Sequence, residues 1–332
     1  MFKPGPLNAI TDVDGICVGH ATDDVVNSGT TVVVCTRSPA ASVDVRGGGP
    51  GLREIEVLQP ENLIGRADAI VLSGGSIFGL AAGDGIANAL SKEGIGLDKG
   101  ENLPKVPIVS GAILFDLTNG GNKQWGECTP YYALGVAALK DAHANNGGAF
   151  KQGAIGAGKG AIAGQSLGGI GSTSLDLGKG VMVGAIVAVN SVGSVFMPDG
   201  ETFWAQPFAI GDELGGQRPN PEQAPAIDPI PEDCKHPGLT PGTNTTIGIV
   251  ATSAILTTAE CKRVAMMAHD GFARAIRPVH TPFDGDTIFC ISGGTTALSN
   301  GPKRAVQLCE IGAAAADCMA RAIARGVYQA RD

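Results

Sequence analysis

Two short stretches near the C-terminus carry the side chains that could do chemistry: Asn244-Thr245-Thr246 and, about forty residues later, Asp284-Gly285-Asp286. A threonine hydroxyl is a weak nucleophile until a base takes its proton. None of the 5 histidines sits in a motif that would supply that base. Thr245 can supply it itself. Breaking the Asn244–Thr245 bond would free an α-amine, which titrates near about 7.7–8.0, against about 10.4 for a lysine. Nucleophile and base would then be one residue. The same hydroxyl could make the break: attack on the Asn244 carbonyl turns the amide into an ester, and water releases residues 1–244 and 245–332. Two carboxylates suit this chemistry, one for the hydroxyl and one for the ammonium. We assign Asp284 to the hydroxyl and Asp286 to the amine, an order the sequence leaves interchangeable.

The carboxylates help only if the fold carries them to the threonine. Residues 247–251 read as a buried strand. Thr257-x-x-Glu260 is a capping-box signature, and Cys261, Val264, Ala265, Ala268, Phe272, Ala275 and Ile276 then recur at helical spacing as far as Pro278. The Asp-Gly-Asp turn leads into a strand over 288–291, and a last helix is expected over 303–325. If the two strands are parallel, a right-handed crossover puts both N-terminal ends on one edge of the sheet. Thr245 would then lie beside Asp284 and Asp286.

Upstream, short apolar runs at 30–35, 69–72, 108–114, 180–189 and 192–196 alternate with glycine turns, and several read as strands. Helical stretches at 79–90 and 130–140 lie between them. This is a mixed α/β pattern in one catalytic domain, with no break in composition. Texture changes only over 206–244, where eight of the 20 prolines fall without apolar periodicity. That stretch is expected to be a loop, and loops of this length are usually functional or disordered.

Composition narrows the function from the other side. With 332 residues, 43% of them hydrophobic and 17% charged, the chain can bury a full core. A net charge of −8, a pI near 5.2 and no Lys/Arg run longer than two argue against a nucleic-acid partner. The longest clean apolar run, 181–189, is far short of the roughly 20 residues of a membrane helix. The N-terminal Met1-Phe2-Lys3-Pro4-Gly5-Pro6 lacks a signal-peptide layout, so a cytoplasmic protein with its 8 cysteines reduced is expected. There is no C-x-x-C and no H-x-x-x-H, so neither a metal site nor any other cofactor is expected.

Beyond these residues, nearly the whole chain resembles the autoprocessing P1 peptidases. That group includes L-aminopeptidase/D-esterases, β-peptidyl aminopeptidases, the nylon-oligomer hydrolase and a pantetheine-cleaving amidase. The resemblance rests on Thr11-Asp12-Val13-Asp14-Gly15 with Val18-Gly19-His20, Val45-Arg46-Gly47-Gly48 with Pro50-Gly51, and Leu72-Ser73-Gly74-Gly75-Ser76-x-Phe78-Gly79-Leu80. It also rests on Val189-Asn190-x-Val192-Gly193. Its most specific marks are Asn244-Thr245-Thr246 and the run Arg277-Pro278-x-His280-Thr281-Pro282-Phe283-Asp284-Gly285-Asp286-Thr287. The resemblance implies cleavage before Thr245 and a four-layer α/β/β/α sandwich of the L-aminopeptidase/D-esterase type. It further implies a homo-oligomer such as a tetramer, a small peptide or amide substrate, and Asn190 as an oxyanion donor. Two departures bear on the substrate site. Gln165 stands where nylon-type relatives carry a lysine, although Lys159 is close by, and Phe115 stands where some members place a tyrosine.

Competing readings start from the same residues. Asn244-Thr245-Thr246 is also a glycosylation sequon, and Asp284-Gly285-Asp286 also reads as a tight turn with Gly285 chosen for positive φ. Asn190 can serve as a turn former that bonds its own backbone. Arg46-Gly47-Gly48-Gly49 reads as a glycine turn before an anion cradle, and the isolated His20 and His280 read as structural. Trp125 and Glu127 could line a pocket for a substrate ammonium, or simply lie on a surface loop. Gly153-x-x-x-x-Gly158-Lys159 is a Walker A loop except that Gly160 replaces the Mg²⁺-binding Ser/Thr, which leaves a nucleotide-binding module as one rival. An α/β-hydrolase with Ser76 as nucleophile is the other, although Phe78 occupies the second glycine position of the elbow motif.

Overall fold

The computed structural model describes residues 2–219, 228–235 and 244–331. In chain order its elements are β1 (Ile16–Asp23), β2 (Ser28–Cys35), β3 (Ala41–Val45), β4 (Leu52–Arg53), β5 (Ala69–Ser73), α1 (Ala81–Lys92), β6 (Val109–Ile113) and α2 (Tyr131–Asn145). They continue as β7 (Ile162–Ala163), β8 (Ser166–Leu167), β9 (Gly169–Asp176), β10 (Met182–Asn190), β11 (Thr245–Ala254), α3 (Thr258–Ala275), β12 (Thr287–Thr296) and α4 (Pro302–Gln329). One sheet has the order β1-β2-β5-β6-β4 and the other β3-β12-β11-β10-β9.

Side-chain alternation in the strands explains why these sheets stack. In β11, Ile247, Ile249 and Ala251 point into one core while Val250 and Ala254 point into another. In β12, Phe289 and Ile291 join the first core, and Ile288 and Cys290 the second. Successive residues of a strand face opposite sides, so a strand apolar at every position must be covered on both. The first core lies between the sheets, where Ile186, Ile249 and Phe289 meet Val18, Val33, Ile70 and Leu72. The second packs the β3-to-β9 sheet against α3 and α4 through Val264, Phe272, Met319 and Ile323. A third packs the β1-to-β4 sheet against α1 and α2 through Val32, Val71, Ile86 and Leu139. The result is the four-layer α/β/β/α sandwich that the resemblance implied.

Most elements lie where the sequence places them. The capping box is formed: the Thr257 hydroxyl accepts from Glu260 N at 3.2 Å, and Glu260 accepts from Thr257 N at 2.8 Å. β11 and β12 are parallel, as the neighbouring of Thr245 and the Asp pair requires. Residues 192–196 are not a strand. Beyond Asn190 the chain satisfies itself locally, with Ser191 Oγ donating to Gly193 O at 2.7 Å and Phe196 N to Ser194 Oγ at 2.9 Å. Its ladder pairing shrinks to single bridges, Ser194 with Arg277 and Phe196 with Phe203. Within 206–244, residues 206–208 form a 3-10 turn, and Gln206, Leu214 and Cys234 are buried and pin this largely exposed stretch to the fold.

Candidate active site

The parallel β11–β12 pair settles the geometry. Both strands enter the sheet from the same edge, and Asn244 bridges Asp284 there. Thr245 opens β11, pairs with Asn190 at the end of β10, and is 3% exposed. Four segments therefore meet around one hydroxyl: 244–246, 281–286, the 47–49 turn after β3, and 190–192.

The Thr245 hydroxyl donates to the carbonyl oxygen of Asn244, whose C–N bond to Thr245 is the one that would have to break. That oxygen also accepts the Gly285 N–H at 2.9 Å. A backbone donor already aimed at a carbonyl oxygen is what an attack on that carbonyl needs, because negative charge develops there. Gly285 is required by crowding. Its φ is not in the left-handed region, but a Cβ there would lie 2.7 Å from Thr245 Oγ1 and 3.0 Å from Gly49 O. The expectation of a positive φ at Gly285 is therefore corrected. The Gly47-Gly48-Gly49 turn closes the other side, with Gly49 N donating to Asp284 O at 2.8 Å and Gly47 N to Asp286 O at 3.2 Å. It wraps the acid pair as a packed backbone.

Both carboxylates are almost fully buried. Asp286 Oδ1 accepts from Thr246 N at 2.8 Å, one residue from the junction, and Oδ2 accepts from His280 N at 3.1 Å. Oδ2 also meets His280 Nδ1 at 2.8 Å. Asp284 Oδ1 accepts from Val192 N at 3.2 Å, and Oδ2 from Thr281 N and Oγ1 at 3.1 and 2.5 Å. Among the described residues neither carboxylate is hydrogen-bonded to the Thr245 hydroxyl. Burial first, and then the charge of Asp286, push the Asp284 carboxyl up to about 6.

The Asn190 side chain is buried, and its amide orientation is fixed by its partners. Oδ1 accepts from Ile162 N at 3.0 Å and from Lys235 Nζ at 3.1 Å, while Nδ2 donates to Phe115 O at 3.0 Å. An amide nitrogen carries two hydrogens, so one Nδ2 donor remains beyond the Phe115 bond. Phe115 thus meets the site through its carbonyl. Gln165 is exposed and donates to Glu232 O at 2.9 Å. Trp125 packs edge-on against Phe78 and Tyr131, with ring centroids 5.4 and 5.9 Å away, and Glu127 is exposed. No described contact joins Trp125 or Glu127 to Thr245. Lys159 pairs with Asp24 at 2.6 Å, and the turn that precedes it leads into the β7–β8 hairpin, whereas a phosphate loop opens a helix.

The sequence profile of peptidase family S58 matches residues 8–332. The chain belongs to this family. An uncharacterized aminopeptidase of Mycobacterium leprae is 41% identical over 99% of this chain and 92% of its own length. A 6-aminohexanoate-oligomer endohydrolase of Agromyces sp. is 30% identical over 93% of this chain and 82% of its own. Among solved structures, a β-aminopeptidase of Burkholderia sp. superposes with a TM-score of 0.70 at 21% identity, covering 98% of this chain and 88% of that one. The L-aminopeptidase D-Ala-esterase/amidase of Ochrobactrum anthropi, described as a variant of the Ntn-hydrolase fold, superposes at 0.68 and 19% identity, over 98% and 87%. This S58 chain is thus a peptidase or amidohydrolase with the fold of those enzymes.

Two parts of this candidate site had no readable signal in the sequence, and a third, His280, was marked only through the resemblance. The Gly285 N–H is a backbone group. His280 looks isolated in the chain, yet it reaches Asp286 because the loop folds back. Lys235 lies inside the proline-rich stretch, where no periodicity marks it. Its backbone N donates to Val192 O at 3.0 Å, which delivers Nζ to Asn190. Burial pushes the Lys235 ammonium down to about 7, opposed by the charge of Asp284. The segment carrying Lys235 is tied down beside it, through Asp233 to Ser194 Oγ, Asp228 O to Arg277 Nε at 3.2 Å and Glu232 O to Gln165.

Proposed function

We propose that this peptidase activates itself by cutting before Thr245 and then hydrolyses small peptides or amides through an acyl-enzyme on that residue. A single catalytic domain would thereby become two chains, 1–244 and 245–332. The observation that carries this reading is the double hydrogen bond on Asn244 O, from Thr245 Oγ1 and from Gly285 N, at the edge where the acid pair lies. In the first step Oγ1 attacks the Asn244 carbonyl carbon, the amide nitrogen leaves as the α-amine of Thr245, and water hydrolyses the ester. In turnover that amine takes the Oγ1 proton, Oγ1 attacks the substrate carbonyl, and the protonated amine returns the proton to the leaving nitrogen; water, deprotonated by the same amine, then cleaves the Oγ1 ester, releasing the acid and restoring the hydroxyl.

Asp286, bonded next door at Thr246 N, is suited to hold the new ammonium. Asp284 is suited to the hydroxyl side once ionised. Asn190, with its second Nδ2 hydrogen, is suited to the substrate oxyanion. Hydrolase names among the relatives support the substrate class, and the 8 free cysteines fit a reducing, cytoplasmic setting. Assembly into a homo-oligomer of cleaved protomers belongs to the same reading. Among the described residues no helix is long and apolar enough to cross a membrane.

Denaturing mass spectrometry tests it. Wild type should give two chains and Thr245→Ala one, with Thr-Thr-Ile-Gly as the second N-terminus. A wild type that stays whole and active overturns the proposal.

A further inference from the structure

Behind Asp286 lies a row of groups that the proposed chemistry does not use. His280 is held at φ 56°, a left-handed conformation uncommon for a non-glycine residue. That backbone directs both its N–H and its ring Nδ1 onto the same oxygen, Asp286 Oδ2, at 3.1 and 2.8 Å. The ring stacks on Phe272, centroids 5.8 Å apart, and meets His269 edge to face at 4.9 Å. His269, on α3, is fully buried, and its Nε2 lies 3.1 Å from Asp44 O and 3.6 Å from Asp44 Oδ2. Asp44 in turn pairs with Lys262 at 3.0 Å and Arg46 at 3.3 Å. The groups facing the two rings are therefore Asp286 on one side and Asp44, Arg46 and Lys262 on the other, with Asp284 beyond Asp286.

Protonation follows from the partners. A carboxylate oxygen and a carbonyl oxygen only accept, so His280 must carry its proton on Nδ1 and His269 on Nε2. The two remaining nitrogens, His280 Nε2 and His269 Nδ1, are buried and have no described partner. Leaving buried polar atoms unmatched is costly, so such atoms tend to be kept where they do something. Burial and the facing His280 push His269 down to about 4, which keeps it neutral.

We propose that His280 and His269 are a positioning pair for the reaction: His280 holds Asp286 in register with Thr245 and Thr246, and His269, anchored on Asp44, fixes the ring and tautomer of His280. The pair rests on the reading of Thr245 as the self-cleaving nucleophile, and it extends that site through α3 to the Lys262 and Arg46 ion pairs.

The test is a time course of chain cleavage after cell-free synthesis, followed by kcat and KM on an aminoacyl anilide. Misplacing a reacting group by an ångström costs on the order of 100-fold. His280→Ala should slow cleavage about 10- to 100-fold and lower kcat with KM little changed. His280→Asn keeps a donor at the Nδ1 position and should stay within about threefold of wild type. His269→Ala should slow cleavage about tenfold, while His269→Gln, which retains a donor toward Asp44 O, should not. In imidazole nitrogen-15 NMR, His280 should show a proton on Nδ1 and His269 a proton on Nε2. Equal rates for His280→Ala and His280→Asn, whether both fast or both slow, overturn the pair, and so do the opposite tautomers. A wild type that never cleaves would sink the parent reading instead, with the tautomers still deciding whether the pair exists.

Discussion

Two hydroxyls, Thr245 and Ser76, sit beside the ends of sheet strands, and only one has machinery around it. Ser76 follows β5 at φ 51° and leads through a 3-10 turn into α1, a strand–turn–helix layout that does resemble a nucleophile elbow. Its neighbouring carboxylate is committed elsewhere: Asp116 Oδ1 accepts from Gly75 N at 2.8 Å and Oδ2 from Ser28 Oγ at 2.6 Å, and the Tyr131 hydroxyl adds a bond to Ser28 at 3.0 Å. These bonds hold the turn together. Around Thr245 two donors instead converge on the Asn244 carbonyl, with the two acids buried at the same edge of the sheet. The difference teaches that a strained hydroxyl at a turn is not yet a nucleophile. What counts is whether a base, a donor and an electrophile share its edge of the sheet.

The sharpest way to break this contrast is Gly285→Ala. A methyl 2.7 Å from Oγ1 must displace the hydroxyl or the turn, so self-cleavage should fall by on the order of 100-fold or more while the fold persists. Cleavage at the wild-type rate would mean that the hydroxyl does not act from this position. Next comes Asp284. With its carboxyl raised to about 6, it is ionised above that pH and protonated below it. If it must accept the hydroxyl proton, the cleavage rate should fall about tenfold per pH unit below about 6 and level off above 7. Asp284→Asn should cleave slowly with no such limb, so a limb that survives in this variant removes Asp284 from the proton path.

Lys235→Met should have a smaller effect, mainly on stability. The ammonium's folded value of about 7 lies below its usual range, so the burial cost is fully present below pH 7 and is relieved as pH rises toward 10. The variant should therefore melt higher than wild type at pH 6, with the gain vanishing near pH 10, and should cleave several-fold more slowly because Asn190 loses a partner. A melting gain of equal size at both pH values would show that Lys235 is solvated. The smallest change belongs to Ser76→Ala: cleavage and turnover should stay within about twofold of wild type. A loss of all activity there would reverse the contrast.

Much of this was legible in the chain because it is local. The capping box before α3, the alternating faces of β11 and β12, and the pairing of a hydroxyl with two acids all follow from residue types at short spacing. Two expectations went astray for non-local reasons. Residues 192–196 are as apolar as a strand, but serine side chains there satisfy the backbone in place of a neighbour. Gly285 looked like a turn glycine because nothing nearby in sequence reveals that Thr245 fills the space of its Cβ.

The sequence alone therefore determined the kinds of groups, the mixed α/β pattern and, through the strand–helix–strand spacing, which two segments would be neighbours if their strands ran parallel. Only the tertiary structure decided which atoms meet. The Gly285 N–H on Asn244 O, the Lys235 ammonium on Asn190 and the His280 ring on Asp286 all join residues whose contact depends on how loops close at a sheet edge. Hydrogen bonds are directional and short, so an error of one ångström makes or loses them, whereas apolar burial needs only the right face.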